Sequence, residues 1–189
     1  AVRIGGIDVK DYTLESLMGQ VSMVFQKVYL FADTIENNIK FGRPGATHKQ
    51  VVEAAKKACC HEFIESLPDG YNTVIGEGGA TLSGGEKQRI SIARAMLKDA
   101  PIIIFDEATA NVDPENEDKL QKAMEALMKD KTILMIAHRL KTVRKADQIL
   151  VLDGGHIVQR GTHDELAGQD GLYRAFLDAR KEAASWKLT

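Results

Sequence analysis

Two rhythms of apolar residues alternate along the chain. One is short and strand-like; the other is longer and has helical spacing. Val2 to Ile4 and Ile7 to Val9 flank Gly5-Gly6, which predicts a small hairpin. Gln20 to Phe25 reads as a short strand. Ile102 to Phe105 is entirely apolar, as suits a strand buried on both faces of a parallel sheet, and Thr132 to Ala137 has the same character. Gln148 to Leu152, Asp153-Gly154-Gly155 and His156 to Gln159 predict strand, tight turn, strand. Between these lie helical patterns. Thr47 with Gln50 forms a capping box ahead of Val51, Val52, Ala54, Ala55 and Ala58. Ser83 with Glu86 forms a second, opening a helix through about Leu97. Asp113-Pro114 supplies an N-cap and a first-turn proline for a helix carrying Leu120, Ala123, Met124, Leu127 and Met128. Leu172, Tyr173, Phe176 and Leu177 mark a closing amphipathic helix. Strands alternating with helices predict an α/β architecture.

Composition narrows the function classes. The 189 residues carry 25 Lys+Arg and 27 Asp+Glu, a net charge of −2, with 44% hydrophobic residues. That excludes long disorder and argues against a dedicated nucleic-acid binder. No apolar run is long enough to span a bilayer. No charged-then-apolar leader opens the chain, and its start at Ala1, directly in a strand-like segment, leads us to expect a piece of something longer. Adjacent Cys59 and Cys60 make neither a disulfide scaffold nor a zinc site, and a reducing setting fits best.

Four places carry candidate chemistry. Leu82-Ser83-Gly84-Gly85-Glu86-Lys87-Gln88-Arg89 puts two glycines behind an N-cap serine, where free amides and the positive helix end suit a phosphate. A plain capping box would have the same four central residues. Asp106 and Glu107 leave the C-terminal end of a buried strand, where open α/β sheets bind ligands. Asp106 could hold Mg²⁺ and Glu107 could orient an attacking water; an ordinary acidic loop is the other reading. His138 ends the next buried strand, and Gln26 follows the strand ending at Phe25. Alone, either would be unremarkable.

Taken in order, Gln26, Leu82 to Gln88, Ile102 to Glu107, Ala110-Asn111-Val112-Asp113 and His138 resemble the nucleotide-binding domain of ABC transporters. In family terms these correspond to the Q-loop, the signature motif, the Walker B strand with its catalytic glutamate, the D-loop and the switch histidine. The resemblance runs from about Ile4 to Phe176. It implies an incomplete P-loop NTPase-like (RecA-like) parallel sheet core with an inserted α-helical signature subdomain. The core lobe would be 1–26 and 99–165, the helical subdomain 27–98, and the closing helix and tail 166–189. It implies ATP and Mg²⁺, with Asp106 and Gln26 on the metal, Glu107 and His138 catalytic, and Gln26, Leu82, Ser83, Gly84, Gly85, Glu86, Gln88 and Asp113 at the nucleotide. It implies two partners: a second nucleotide-binding domain, homo- or heterodimeric, and the coupling helices of a transmembrane domain. No nucleic acid is implied, and contact with the membrane would come only through that domain, at its cytoplasmic face.

Leu30 to Ile39, Thr73 to Gly79 and Gly161 to Leu166 resemble the exporter branch, whose X-loop senses the coupling helices; Glu86-Lys87 stands where exporters more often have Gln followed by Arg or Lys. A chromosome-structuring or DNA-repair ATPase would carry its Q-loop in another lobe behind long heptads. A ribosome-acting ABC protein would lack the X-loop-like Gly76-Glu77-Gly78-Gly79. A binding-only module would not need Glu107 and His138. No Gly-x-x-x-x-Gly-Lys-Ser/Thr occurs, so the chain resembles the C-terminal three-quarters of the domain. Losing three charge-assisted hydrogen bonds costs roughly 4–9 kcal/mol, so the chain alone is expected to bind ATP poorly and to be inactive. The missing strand is expected to leave an apolar edge open beside strands such as Ile102 to Phe105, and so to promote non-native oligomers or a local rearrangement of the sheet.

Overall fold

The computed structural model describes residues 1–76, 81–106, 114–136 and 143–185. They fall into two compact units, Ala1–Ile136 and Ala137–Thr189.

The first unit opens with the predicted hairpin. Strands β1 (Arg3–Ile4) and β2 (Ile7–Asp8) pair antiparallel around Gly5 and Gly6, with φ of 57° and 84°. A two-residue turn with both φ positive matches the strand twist, and glycine adopts it without a Cβ penalty. Helix α1 (Leu14–Gln20) follows, capped by Thr13 Oγ1, which accepts from the Ser16 amide. The core is a parallel sheet of β3 (Val21–Phe25), β6 (Ile102–Asp106) and β7 (Thr132–Ile136) in the order β3-β6-β7. Register runs Met23↔Ile104↔Leu134 and Phe25↔Asp106↔Ile136. β6 is flanked on both sides, so among the described strands the edges of this sheet are β3 and β7 and not Ile102–Phe105 as expected.

Between β3 and β6 lie β4 (Asp33–Thr34), α2 (Ile35–Lys40), α3 (His48–Lys57), α4 (His61–Glu65), β5 (Val74–Ile75) and α5 (Gly84–Lys98). β4 and β5 pair antiparallel. α6 (Pro114–Met128) links β6 to β7. α5 is the hub: it packs on α2, α3, α6 and β3, with Ile90, Ile92 and Ala93 completely buried. Val24, Ile103 and Phe105 on one sheet face meet this core, as do Leu120, Ala123 and Leu127 of α6. Both predicted capping boxes of this unit are formed, at Thr47/Gln50 and Ser83/Glu86. Burial pushes the Cys60 thiol up to about 12, which keeps it a protonated, unreactive core group.

In the second unit β8 (Ile149–Asp153) and β9 (His156–Gly161) form an antiparallel pair with a register shift at Val151/Leu152. α7 (His163–Ala167) starts at a third capping box, Thr162/Glu165, and α8 (Leu172–Ser185) closes the chain. Ile149, Leu166, Tyr173 and Leu177 form its small core.

Candidate functional site

The Ser83 turn is built by its own sequence. Ser83 is extended (φ −64°, ψ 161°); its Oγ accepts from the Glu86 amide at 3.3 Å, and the Glu86 carboxylate accepts from the Ser83 amide at 2.7 Å. Such a cap contributes about 1 kcal/mol and fixes the entry direction of the helix. It leaves the Ser83 hydroxyl hydrogen free to donate. The Gly84 and Gly85 amides sit in the first turn, where a helix offers no internal acceptor. Gly84 is exposed, and a Cβ there would meet nothing within 4 Å, so its backbone is open to a ligand; Gly85 is buried. Leu82 is buried and anchors the turn in the core. Gln88 is buried too, and its Nε2 donates to the Phe25 carbonyl at 3.2 Å. Glu86 is spent on the cap.

The second group lies at the C-terminal edge of the sheet. Asp106 is half-buried, in one row with Phe25 and Ile136. Gln26, exposed, is the next residue after β3. Glu107, Asp113 and His138 lie outside the described residues. Gln26 and Asp106 thus come from neighbouring strands, whereas the Ser83 turn belongs to the helix that runs along β3. Among the described residues no group of three or more His, Cys, Asp or Glu side chains could hold a metal ion. The oxygen donors of Gln26 and Asp106 are of the kind Mg²⁺ takes while keeping several waters.

A further cluster belongs to no sequence motif. Arg94 of α5 donates from Nε to the Asn38 carbonyl at 2.8 Å, from Nη2 to Asn38 Oδ1 at 3.1 Å and from Nη1 to the Tyr29 carbonyl at 3.2 Å. Its guanidinium lies 5.6 Å and 5.5 Å from the ring centres of Phe31 and Phe41. Burial lowers its pKa, yet an arginine stays charged at neutral pH. Buried Asn38 ties the segment together: Oδ1 accepts from the Phe31 amide at 2.8 Å, and Nδ2 donates to the carbonyls of Phe31 and Thr34 at 3.0 Å each. The signal in the sequence was only an arginine in an otherwise apolar stretch of helix.

A family model described as ABC transporter matches residues 1–110. The chain belongs to the ABC transporter family. The ATP-dependent lipid A-core flippase of Syntrophus aciditrophicus (strain SB) is 53% identical over 172 residues, which cover 91% of this chain and 29% of the relative. A Bacillus subtilis (strain 168) protein named for multidrug export as an ATP-binding/permease protein is 51% identical over 171 residues, covering 90% of this chain and 30% of its own length. Among solved structures, a bacterial Atm1-family ABC exporter with ATP bound superposes with a TM-score of 0.84 at 44% identity, covering 93% of this chain and 31% of that one. The ABC chain described here therefore spans about 30% of the length of these relatives. No described helix is long and apolar enough to cross a membrane.

Proposed function

We propose that this chain is part of the ATP-hydrolysing domain of an ABC exporter, and that in the whole protein it powers transport across a membrane. One observation supports the reading: Phe25, Asp106 and Ile136 share a register row, so Asp106 and the end of β3, which Gln26 follows, lie at one edge of the sheet. In this reading 1–26 and 99–165 are the core lobe, 27–98 the helical subdomain and 166–189 the closing segment.

The Ser83 hydroxyl and the Gly84 and Gly85 amides bind the terminal phosphate of an ATP held mainly by a partner domain, with the positive helix end adding to the attraction. Leu82, Glu86 and Gln88 hold that turn and the neighbouring strand end in place. Gln26 orients the attacking water, Glu107 takes its proton, and His138 stabilises charge developing on the phosphoryl oxygens. Asp113 links the two sites across the dimer. Magnesium fits the oxygen donors of Asp106 and Gln26, and when bound it neutralises phosphate charge. The exposed rings of Tyr29 and Phe41 offer a face to the coupling helices of a transmembrane domain on the cytoplasmic side.

Glu107→Gln in the whole protein tests the assignment. Removing a general base lowers turnover by about a hundredfold to ten-thousandfold. ATP should then remain bound and unhydrolysed in a filter-retention assay. Turnover at the unsubstituted rate would overturn the assignment.

A further inference from the structure

Helix α5 is strapped to its surroundings at three points. Lys98 Nζ donates to the Val21 carbonyl at 2.7 Å, at the start of β3. Gln88 Nε2 donates to the Phe25 carbonyl at 3.2 Å, at its end. Arg94 reaches past the strand to the Tyr29 carbonyl at 3.2 Å. Gln26, Lys27 and Val28 are therefore a short loop whose two flanking carbonyls are both gripped by side chains of one helix. Gln88 and Arg94 are six positions apart, about 9 Å along the axis, so the helix holds the loop like a bracket.

The Arg94 grip is built to resist displacement. Its three donors fork onto two residues, Asn38 and Tyr29, and its guanidinium lies over the rings of Phe31 and Phe41. Those rings touch each other, with centres 4.6 Å apart, and Tyr29 packs edge-on against Phe31 at 5.2 Å. A lysine could not reproduce this, since a point charge cannot fork or stack in the same way.

We propose that Arg94 is a positioning residue for Gln26: by holding the Tyr29 carbonyl while Gln88 holds that of Phe25, it makes the loop follow the helix that begins at Ser83. A shift of the Ser83 turn is then carried directly to Gln26, and so from the phosphate bound there to the water handled at this chain's own sheet edge. The inference rests on the function proposed above and deepens it.

The test is a double-mutant cycle on ATP hydrolysis by the whole protein, with Arg94→Met, Gln26→Ala and the pair. Loss of one charge-assisted contact corresponds to about tenfold in rate. If Arg94 acts through Gln26, each single change lowers kcat about tenfold, the double change lowers it no further, and KM for Mg-ATP stays within about twofold. Losses that multiply to about a hundredfold overturn the proposal, as does an Arg94→Met protein with unchanged kcat. Should Arg94→Met fail to fold, Arg94→Lys, which keeps charge and length but not the fork, carries the same cycle with the same expectations. Glu107→Gln run alongside separates the two levels. A Glu107→Gln protein that still turns over removes the functional assignment itself; an inactive one with multiplying Arg94 and Gln26 losses removes only this inference.

Discussion

The three-stranded sheet has two apolar faces, one packed and one bare. On the packed face Val24, Ile103 and Phe105 are fully buried against α5 and α6. On the other, Met23 and Phe25 are each 47% exposed, Leu134 is 56% exposed and Ile136 53%. The residue types are nearly the same on both sides. The difference shows that an all-apolar parallel strand states a demand for cover on two faces, and that the described residues of the first unit meet only one of them. Asp106, the candidate metal ligand, lies on the bare side, in one row with Phe25 and Ile136.

Substitutions on the two faces should separate sharply. Phe105→Ala opens a cavity in the packed face and should cost about 3–5 kcal/mol in denaturant unfolding. A loss under about 1 kcal/mol would mean that this side is not tightly packed. Ile103→Val removes one methylene there and should cost about 0.5–1.5 kcal/mol. On the bare face, Met23→Lys with Leu134→Lys should change stability by less than about 0.5 kcal/mol. The same pair should abolish self-association of the chain in light scattering, because contiguous exposed apolar surface beside open strand edges invites it. A mass unaltered by the two lysines would show that this face is not what associates.

The smallest effect lies away from the sheet and serves as a control. Burial pushes the Glu36 carboxyl up, but Lys40 at 2.6 Å and His48 at 2.7 Å outweigh it and hold the group below its ordinary value of 4.5. A depressed folded pKa gives stability above the unfolded value that is lost as pH falls through the folded one. Glu36→Gln should therefore flatten the acid limb of the melting curve below about pH 4.5 and leave neutral pH nearly unchanged. Parallel acid limbs would show that this ion pair contributes nothing.

Long or strongly patterned elements were legible from sequence. β6 and β7 were marked by unbroken apolar runs, and α3 and α5 by their capping boxes, because a cap is a local exchange of two hydrogen bonds. Short helices were not. α1 and α2 are too brief to show a helical stripe; α2 is decided by the Thr34 cap and by Ile35 and Ile39 reaching the core. The Thr162/Glu165 box opens a helix of only five residues, too short to carry a helical stripe.

The candidate site divides in the same way. The Ser83 turn could be derived from residues three apart, since Ser83 and Glu86 cap each other. Which residues join it could not. Gln88 reaches a carbonyl 63 positions away, and Arg94 reaches one 65 away. Sequence by itself determined the local objects: strands that need cover, caps that start helices, an acidic strand end. Tertiary structure alone decided which face of the sheet was covered and which loop α5 would hold, because both depend on contacts between distant segments that no local pattern encodes.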